Sequence, residues 1–183
     1  MTMYKFITNQ IKFSSEDGHI RHQEIQKHFP YGSDVRFRAY PDKVIICSSN
    51  LPVTGISCDM VVLQPYNIGD QLKFNILANA TYTVNDNILP VLGIKNLVGW
   101  FQDQASKHGF DIKAWEKIIS LGFVKATKED QIRTHNSVEF QGKLKVMDAN
   151  KFNKTIGSIK SDHYGIGRAK YCGFGILEVD NVS

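Results

Sequence analysis

The 183-residue sequence has no long apolar run, only three cysteines and little net charge. No segment approaches the roughly 18–20 consecutive apolar residues of a membrane span. Met1 to Phe13 alternates apolar and polar residues, unlike the apolar core of a signal peptide. We therefore expect a cytoplasmic protein without a membrane partner. Because the cysteines are odd in number and form no Cys-x-x-Cys pair, neither a disulfide framework nor a zinc site is predicted.

The remaining composition is that of an ordinary globular protein. Hydrophobic residues make up 42% and charged residues 22%, which is enough apolar material for one compact domain or two small ones sharing a core. The net charge of +4 and the pI near 8.9 indicate a polyanionic partner only weakly. Charge alone therefore does not predict nucleic-acid binding.

Residues 1–84 show the pattern of an α+β unit. Apolar residues at near-period-2 spacing predict the strands, and polar cap residues followed by a Phe-Pro-Tyr-Gly stop bound one helix. The predicted elements are a strand at Tyr4–Phe13, a helix at His19–Phe29, a hairpin of Val35–Tyr40 with Val44–Cys47, and a strand at Leu72–Val84.

Residues 85–183 repeat this alternation of strands and helices. Ile94, Leu97, Phe101 and Ala105 recur at helical spacing and predict a helix over 94–108. We expect strands over 115–128 and over 137–146, the latter with a bulge or bend at Gly142, then a helix over 150–156 and a last strand over 171–179. The sequence thus predicts an α+β protein of two tandem ferredoxin-like (RRM-like) units packed side by side, residues 1–84 and 85–183.

The most informative segment is Gly165–Gly175, which reads GIGRAKYCGFG. Glycines let backbone N–H groups approach an anion, and Arg168 and Lys170 add positive charge, so phosphate is the expected guest. The alternative is a glycine-rich turn that packs tightly against a helix. The segment lacks the Gly-Lys-Ser/Thr ending of a P-loop, and no helix follows it, which disfavours a dinucleotide site or an acetyltransferase pyrophosphate loop.

Four segments together resemble the CasE family, the CRISPR RNA-processing endoribonucleases of the type I-E Cascade complex. The terminal Gly-Ile-Gly-Arg-Ala-Lys, followed by Gly-Phe-Gly-Ile-Leu, is similar to the C-terminal signature of that family. Phe74–Ala80, Trp100 and Phe140–Asp148 match further family segments in the same order. The chain departs from the family pattern at Ala80, where proline is usual, and at two nearby positions where arginines are common.

The resemblance implies a metal-independent endoribonuclease, without a cofactor, that cuts CRISPR repeat RNA at the 3′ base of its hairpin. The 2′-OH would attack the adjacent phosphate, giving a 2′,3′-cyclic phosphate and a 5′-OH end. The implied partners are the CRISPR repeat RNA hairpin and other Cascade subunits, since the enzyme would remain bound in a Cascade-type complex. The alternative is a non-catalytic RNA hairpin-binding subunit of the same fold, although no RNP-like run of an ordinary RRM is present.

The first predicted helix carries histidines suited to proton transfer near neutral pH. His22 matches the position of the catalytic histidine in the family, and His19, three residues earlier, would share its helix face. Lys170 is the candidate for stabilising the phosphorane charge, and no clustered carboxylates or closed ligand set predicts a metal site. The expected RNA-binding residues are Gly165, Gly167, Arg168, Lys170 and Gly173.

Overall fold

The computed structural model describes residues 4–128, 131–157 and 165–182, without the side chain of Lys128. These residues form ten strands, three α-helices and one 3₁₀ turn. The strands are β1 Tyr4–Thr8, β2 Val35–Ala39, β3 Val44–Ser48, β4 Asp59–Val62, β5 Gln71–Asn79, β6 Thr81–Val84, β7 Asn87–Pro90, β8 Phe110–Lys128, β9 Gln131–Val146 and β10 Leu177–Asn181. The helices are α1 Gly18–Gln26, α2 Ile94–Lys107 and α3 Ala149–Gly157, and the 3₁₀ turn is Lys170–Cys172.

The first four strands form an antiparallel sheet in the order β2-β3-β1-β4. Apolar side chains of the sheet meet Ile25 of α1 and Phe29 just beyond it, and Phe6, Phe37 and Ile46 complete this core. The strand order is that of a ferredoxin-like unit. A loop over residues 49–58 lies where the second helix of such a unit would be.

The second antiparallel sheet has the order β10-β5-β9-β8, and the chain order β5-α2-β8-β9-α3-β10 completes a second ferredoxin-like unit. Leu97, Phe101 and Ala105 are the buried residues of α2, as their helical spacing predicts. The Phe101 ring stacks on Phe140, with ring centroids 4.6 Å apart, and on Phe74 at 5.5 Å. The prediction of a tandem α+β fold is confirmed.

Strand β5 lies ahead of the expected boundary at residue 84, yet it pairs with β9 along its whole length. Its alternate residues Leu72, Phe74 and Ile76 are buried in the core of the second unit. If each strand is assigned to the unit whose sheet it joins, the first unit ends between Val62 and Gln71.

The strand predicted over 72–84 divides at Ala80, which is fully buried. Beyond it, β6 and β7 form a separate two-stranded hairpin around Asn85 and Asp86. Both turn residues have positive φ, 46° and 63°, as a two-residue hairpin turn of the primed type requires. Asn and Asp reach this conformation more readily than other non-glycine residues, so the turn forms without an Asn-Gly pair.

The irregularity predicted at Gly142 lies on the partner strand. Strand β9 continues through Gly142, while β8 shifts register between Trp115 and Lys117, opposite that glycine. A methyl group added at Gly142 would lie 2.2 Å from the carbonyl oxygen of Ala114, so only glycine fits beneath the bulged strand.

Two predicted strands are shorter than expected. The first ends at Thr8, and the last begins at Leu177, because the chain before it turns through Gly173 and Gly175 with φ of 91° and 86°, outside the β region. None of the helices in residues 4–128, 131–157 and 165–182 is long and apolar enough to cross a membrane.

A buried ionic cluster centred on Arg38 joins the two sheets. Arg38 of β2 is 3% exposed, and its Nη1 donates to Glu178 Oε1 at 3.0 Å. Its Nη2 donates to Glu139 Oε1 at 3.0 Å and to Asn75 Oδ1 at 3.1 Å. The Tyr40 hydroxyl also donates to Glu178. One side chain of the first sheet thus contacts three strands of the second, which ties the two sheets together at this point.

Candidate active site

A cleft of about 940 Å³ lies between α1, the 3₁₀ turn and the far end of the β8–β9 hairpin. Helix α1 contributes His19, His22, Gln23 and Gln26 to its walls. The other walls come from β8, β9, the β6–β7 hairpin and residues 168, 169, 171 and 172 of the glycine-rich segment. The cleft therefore brings together two segments that the sequence singled out, although they lie about 150 residues apart.

Asp17 fixes the start of α1 and ties it to the hairpin. Its Oδ1 accepts from the backbone N–H groups of His19 at 2.8 Å and Ile20 at 3.2 Å, as in a helix N-cap. Its Oδ2 accepts from the backbone N–H of Thr127 at 2.7 Å. Burial is the largest single influence and raises the pKa of Asp17, but the three backbone N–H donors together outweigh it and hold the pKa below its ordinary value. The helix that carries the histidines is thereby anchored against β8.

His22 is 8% exposed, and a hydrogen bond to a backbone carbonyl fixes its tautomer. Its Nε2 lies 3.1 Å from the carbonyl oxygen of Val35, which can only accept, so Nε2 carries a proton. Burial lowers the pKa of His22, the charges of Arg36 and His19 lower it further, and the hydrogen bond to Val35 opposes them. The ring is therefore neutral near pH 7, with Nδ1 as its proton-accepting nitrogen.

The glycine-rich segment packs directly on His22. The Tyr171 ring meets the His22 ring edge-on, with centroids 5.2 Å apart, and its face covers the Arg36 guanidinium at 3.8 Å. Gly18 permits this approach, because a methyl group there would lie 2.8 Å from Cys172 Cβ. The close contact between the 3₁₀ turn and α1 therefore depends on a small residue at the start of the helix.

The two predicted cationic residues of the segment differ in their relation to the cleft. Arg168 lines the cleft and its Nη2 donates to Thr83 Oγ1 at 3.1 Å. Lys170 is partly buried at the start of the 3₁₀ turn, and its Cγ packs 3.4 Å from where a methyl group on Gly175 would lie. Lys170 is not one of the described residues that line the cleft. Its role in stabilising the phosphorane stays a prediction.

The glycines of the segment allow its backbone to pack closely against neighbouring backbone. Gly165, Gly167 and Gly173 all have positive φ, and a methyl group at Gly165 would lie 2.6 Å from the carbonyl oxygen of Gly175. The N–H of Gly165 donates to Thr155 and that of Gly175 to Leu77. These contacts agree with the tight-turn alternative for the glycines, and their contact with RNA phosphate stays a prediction.

Comparison with known proteins places the chain in a family. The model of the family described as CRISPR associated protein matches residues 9–180. The chain belongs to this family. A search of the curated proteins gave no match. The resemblance seen in four sequence segments is thus confirmed for the family.

Several solved structures share the fold of this chain along almost its whole length. Thermus thermophilus Cse3 bound to an RNA representing a pre-cleavage complex is 16% identical with a TM-score of 0.72, covering 98% of each chain. Cas6e from Escherichia coli str. K-12 is 21% identical with a TM-score of 0.70, covering 100% of both chains. A chain of E. coli Cascade bound to a PAM-containing dsDNA target is 18% identical with a TM-score of 0.58, covering 98% of this chain and 99% of that one.

Several residues of the cleft were not predicted from the sequence. Tyr171 lines the cleft and contacts His22, with Arg36 packed behind its ring, and Asn79 and His135 line the cleft as well. Asn79 belongs to a segment that resembles the family, but His135 lies 56 residues from it, and no spacing rule connects them. Within the described ranges, no group of three or more His, Cys, Asp or Glu side chains is placed to hold a metal ion.

Proposed function

We propose that this chain is a CRISPR repeat endoribonuclease that cuts at the 3′ base of the repeat hairpin. The observation that carries the proposal is His22, a neutral ring in the wall of a large cleft, with its Nε2–H committed to Val35. That arrangement leaves Nδ1 unprotonated and able to accept the proton of a 2′-OH. Family membership and the shared fold with Cse3 bound to RNA support the same conclusion.

The proposed reaction needs no group beyond the chain and its RNA. His22 Nδ1 takes the proton of the 2′-OH, and the 2′-oxygen attacks the adjacent phosphorus. The bond from phosphorus to the 5′-oxygen breaks, and that oxygen takes a proton from His19, one helical turn away. The products are a 2′,3′-cyclic phosphate and a 5′-OH end. We expect Arg168, which lines the cleft, to stabilise the negative charge on the phosphoryl oxygens, together with Lys170 two residues later in the glycine-rich segment.

The cleft also suits the RNA. Arg133 and Arg168 line it from two different segments, and both are exposed. Phe123 and Tyr171 line it too, with 60% and 52% of their side chains exposed. Arginine pairs with phosphate and exposed aromatic rings stack on unpaired bases. A hairpin whose base enters this cleft would place the first unpaired nucleotides beside α1.

After cutting, we propose that the protein stays on the hairpin as a subunit of a Cascade-type complex with other Cascade subunits. The shared fold with a chain of E. coli Cascade supports this part. Cleavage would remove only the strand beyond the cut, so the product would keep the contacts that the hairpin itself makes.

The test is incubation of the purified protein with an RNA that contains the CRISPR repeat of its own host. The expected result is one cut at the 3′ base of the hairpin, with cyclic phosphate and 5′-OH ends identified by mass spectrometry. Cutting should be equal with and without excess EDTA, and a 2′-deoxy nucleotide at the cut should block it. Binding without cutting would favour the non-catalytic hairpin-binding alternative, and cutting that requires a divalent metal would contradict the mechanism.

A further inference from the structure

A hydrogen-bond relay from the backbone fixes the tautomer of a second cleft histidine, His135. The backbone N–H of Asn136 donates to Asn79 Oδ1 at 2.9 Å, and since an N–H only donates, the amide orientation of Asn79 is determined. Asn79 Nδ2 then faces His135 Nδ1 at 3.2 Å. Because an amide nitrogen also only donates, His135 Nδ1 is the acceptor. The proton of the neutral ring is therefore on Nε2.

The groups behind His135 are rigid. Asn79 and Asn136 are 3% and 2% exposed, and Asn136 Nδ2 donates to the carbonyl oxygens of Ala80 and Val91, each at 3.0 Å. The His135 ring also meets the buried Phe174 ring edge-on, with centroids 5.9 Å apart. One side of the ring is thus held by a hydrogen bond and another by packing, as a preorganised donor requires.

The charges around His135 favour the same neutral form. Burial lowers the pKa of His135 and Arg133 lowers it further, while Asp17 at the start of α1 opposes them. His135 lines the same cleft as His22 and Arg168. Buried polar side chains cost free energy unless every polar group is paired. A ring that only filled space would need no such side chains, whereas two buried asparagines orient His135.

We propose that His135 is a further catalytic residue, which donates its Nε2–H to a non-bridging oxygen of the scissile phosphate. This rests on the proposed endoribonuclease activity. His135 itself gains and loses no proton: the 2′-OH proton goes to His22, the new bond joins the 2′-oxygen to phosphorus, and the 5′-oxygen leaves with a proton from His19. The hydrogen bond strengthens as charge builds on the phosphoryl oxygen, so it acts mainly in the transition state.

Two substitutions at this position separate donation from packing. His135→Phe keeps a ring against Phe174 and removes the donor, whereas His135→Gln loses the ring and keeps an amide N–H of similar reach. We expect the phenylalanine variant to lower the single-turnover cleavage rate about 10²-fold, the scale for one oxyanion donor, and the glutamine variant to recover part of it. A role in packing alone would give the reverse order. The control is His28→Ala, which alters a histidine in the turn after α1 that contacts Thr54, and this variant should cut like the parent.

Sulfur substitution at the cut provides a readout that does not depend on the amount of folded protein. Each protein is given the natural RNA and the two phosphorothioate diastereomers, in which sulfur replaces one non-bridging oxygen. We expect one diastereomer to slow the parent and the His28→Ala control, and this slowing to shrink in His135→Phe. If His135→Phe cuts like the parent, or if both variants are slow with an unchanged sulfur effect, the inference is overturned. A parent that binds but never cuts would overturn the proposed function instead.

Discussion

Replacing Arg38 by methionine should destabilise the protein strongly, because it leaves two carboxylates facing each other between the sheets. The Arg38 side chain is 4% exposed, and those of Glu139 and Glu178 are 14% and 15% exposed. Removing one partner of a buried ion pair typically costs about 3–5 kcal/mol. The Lys117 ammonium at 3.2 Å from Glu139 and the Tyr40 hydroxyl on Glu178 compensate in part, so we expect the lower end of that range. For a protein of this size, about 3 kcal/mol corresponds to a Tm lower by roughly 6–12 °C.

Thermal and urea unfolding measure this effect, with an exposed ion pair as the matched control. Lys113 and Asp111 form a pair at 2.7 Å whose side chains are 44% and 55% exposed, so Lys113→Ala should cost under about 1 kcal/mol. Adding Glu139→Gln and Glu178→Gln to Arg38→Met should restore much of the loss, because no buried charge then lacks a partner. If Arg38→Met shifts Tm no more than Lys113→Ala does, the ionic cluster does not hold the units together.

Two further predictions concern the chemistry of the cleft. Lys170→Ala should lower the cleavage rate more than the RNA affinity, and it should reduce the slope of log affinity against log salt by roughly 0.7–0.9. Lys170→Arg should be only partly tolerated. An unchanged rate and an unchanged slope in Lys170→Ala would mean that the residue is only part of a structural turn. The single-turnover rate should rise with pH through a pKa below 6.5, the ordinary histidine value, because burial and then Arg36 favour neutral His22, and His22→Gln should abolish that limb. Folding favours the same neutral ring, so its contribution to stability, followed by unfolding across pH, should be complete above 6.5 and be lost as pH falls through the lowered pKa.

Local sequence patterns predicted an element correctly where the spacing of its own apolar residues identifies it. Helix α2 has buried residues at i, i+4 and i+8, and its predicted range differs from the observed one by a single residue. The β6–β7 hairpin was missed because its turn uses Asn85 and Asp86 in place of an Asn-Gly pair. The bulge was assigned to Gly142 because the sequence shows the glycine, whereas the extra residue lies on the strand opposite.

The site was predictable only in part. Helix pattern and family resemblance together pointed to His19 and His22, and both line the cleft. The pairing of Asn79 with His135 joins residues 56 positions apart, and it depends on β5 and β9 being neighbours in the second sheet. Sequence spacing carries no information about a contact of that kind. Likewise, the Tyr171 ring packs over the Arg36 guanidinium because residues 170–172 form a 3₁₀ turn where a strand was expected.

The most direct test of the central claim is single-turnover cleavage and binding of the repeat RNA hairpin by His22→Ala beside the parent protein. Loss of a general base typically lowers a rate by about 10²–10⁴, while hairpin contacts from many other groups keep the affinity nearly unchanged. His28→Ala, which alters a histidine outside the cleft in the turn that follows α1, should match the parent in both measurements. A His22→Ala protein that cuts within about threefold of the parent would contradict the account, since proton transfer would then have to come from another residue.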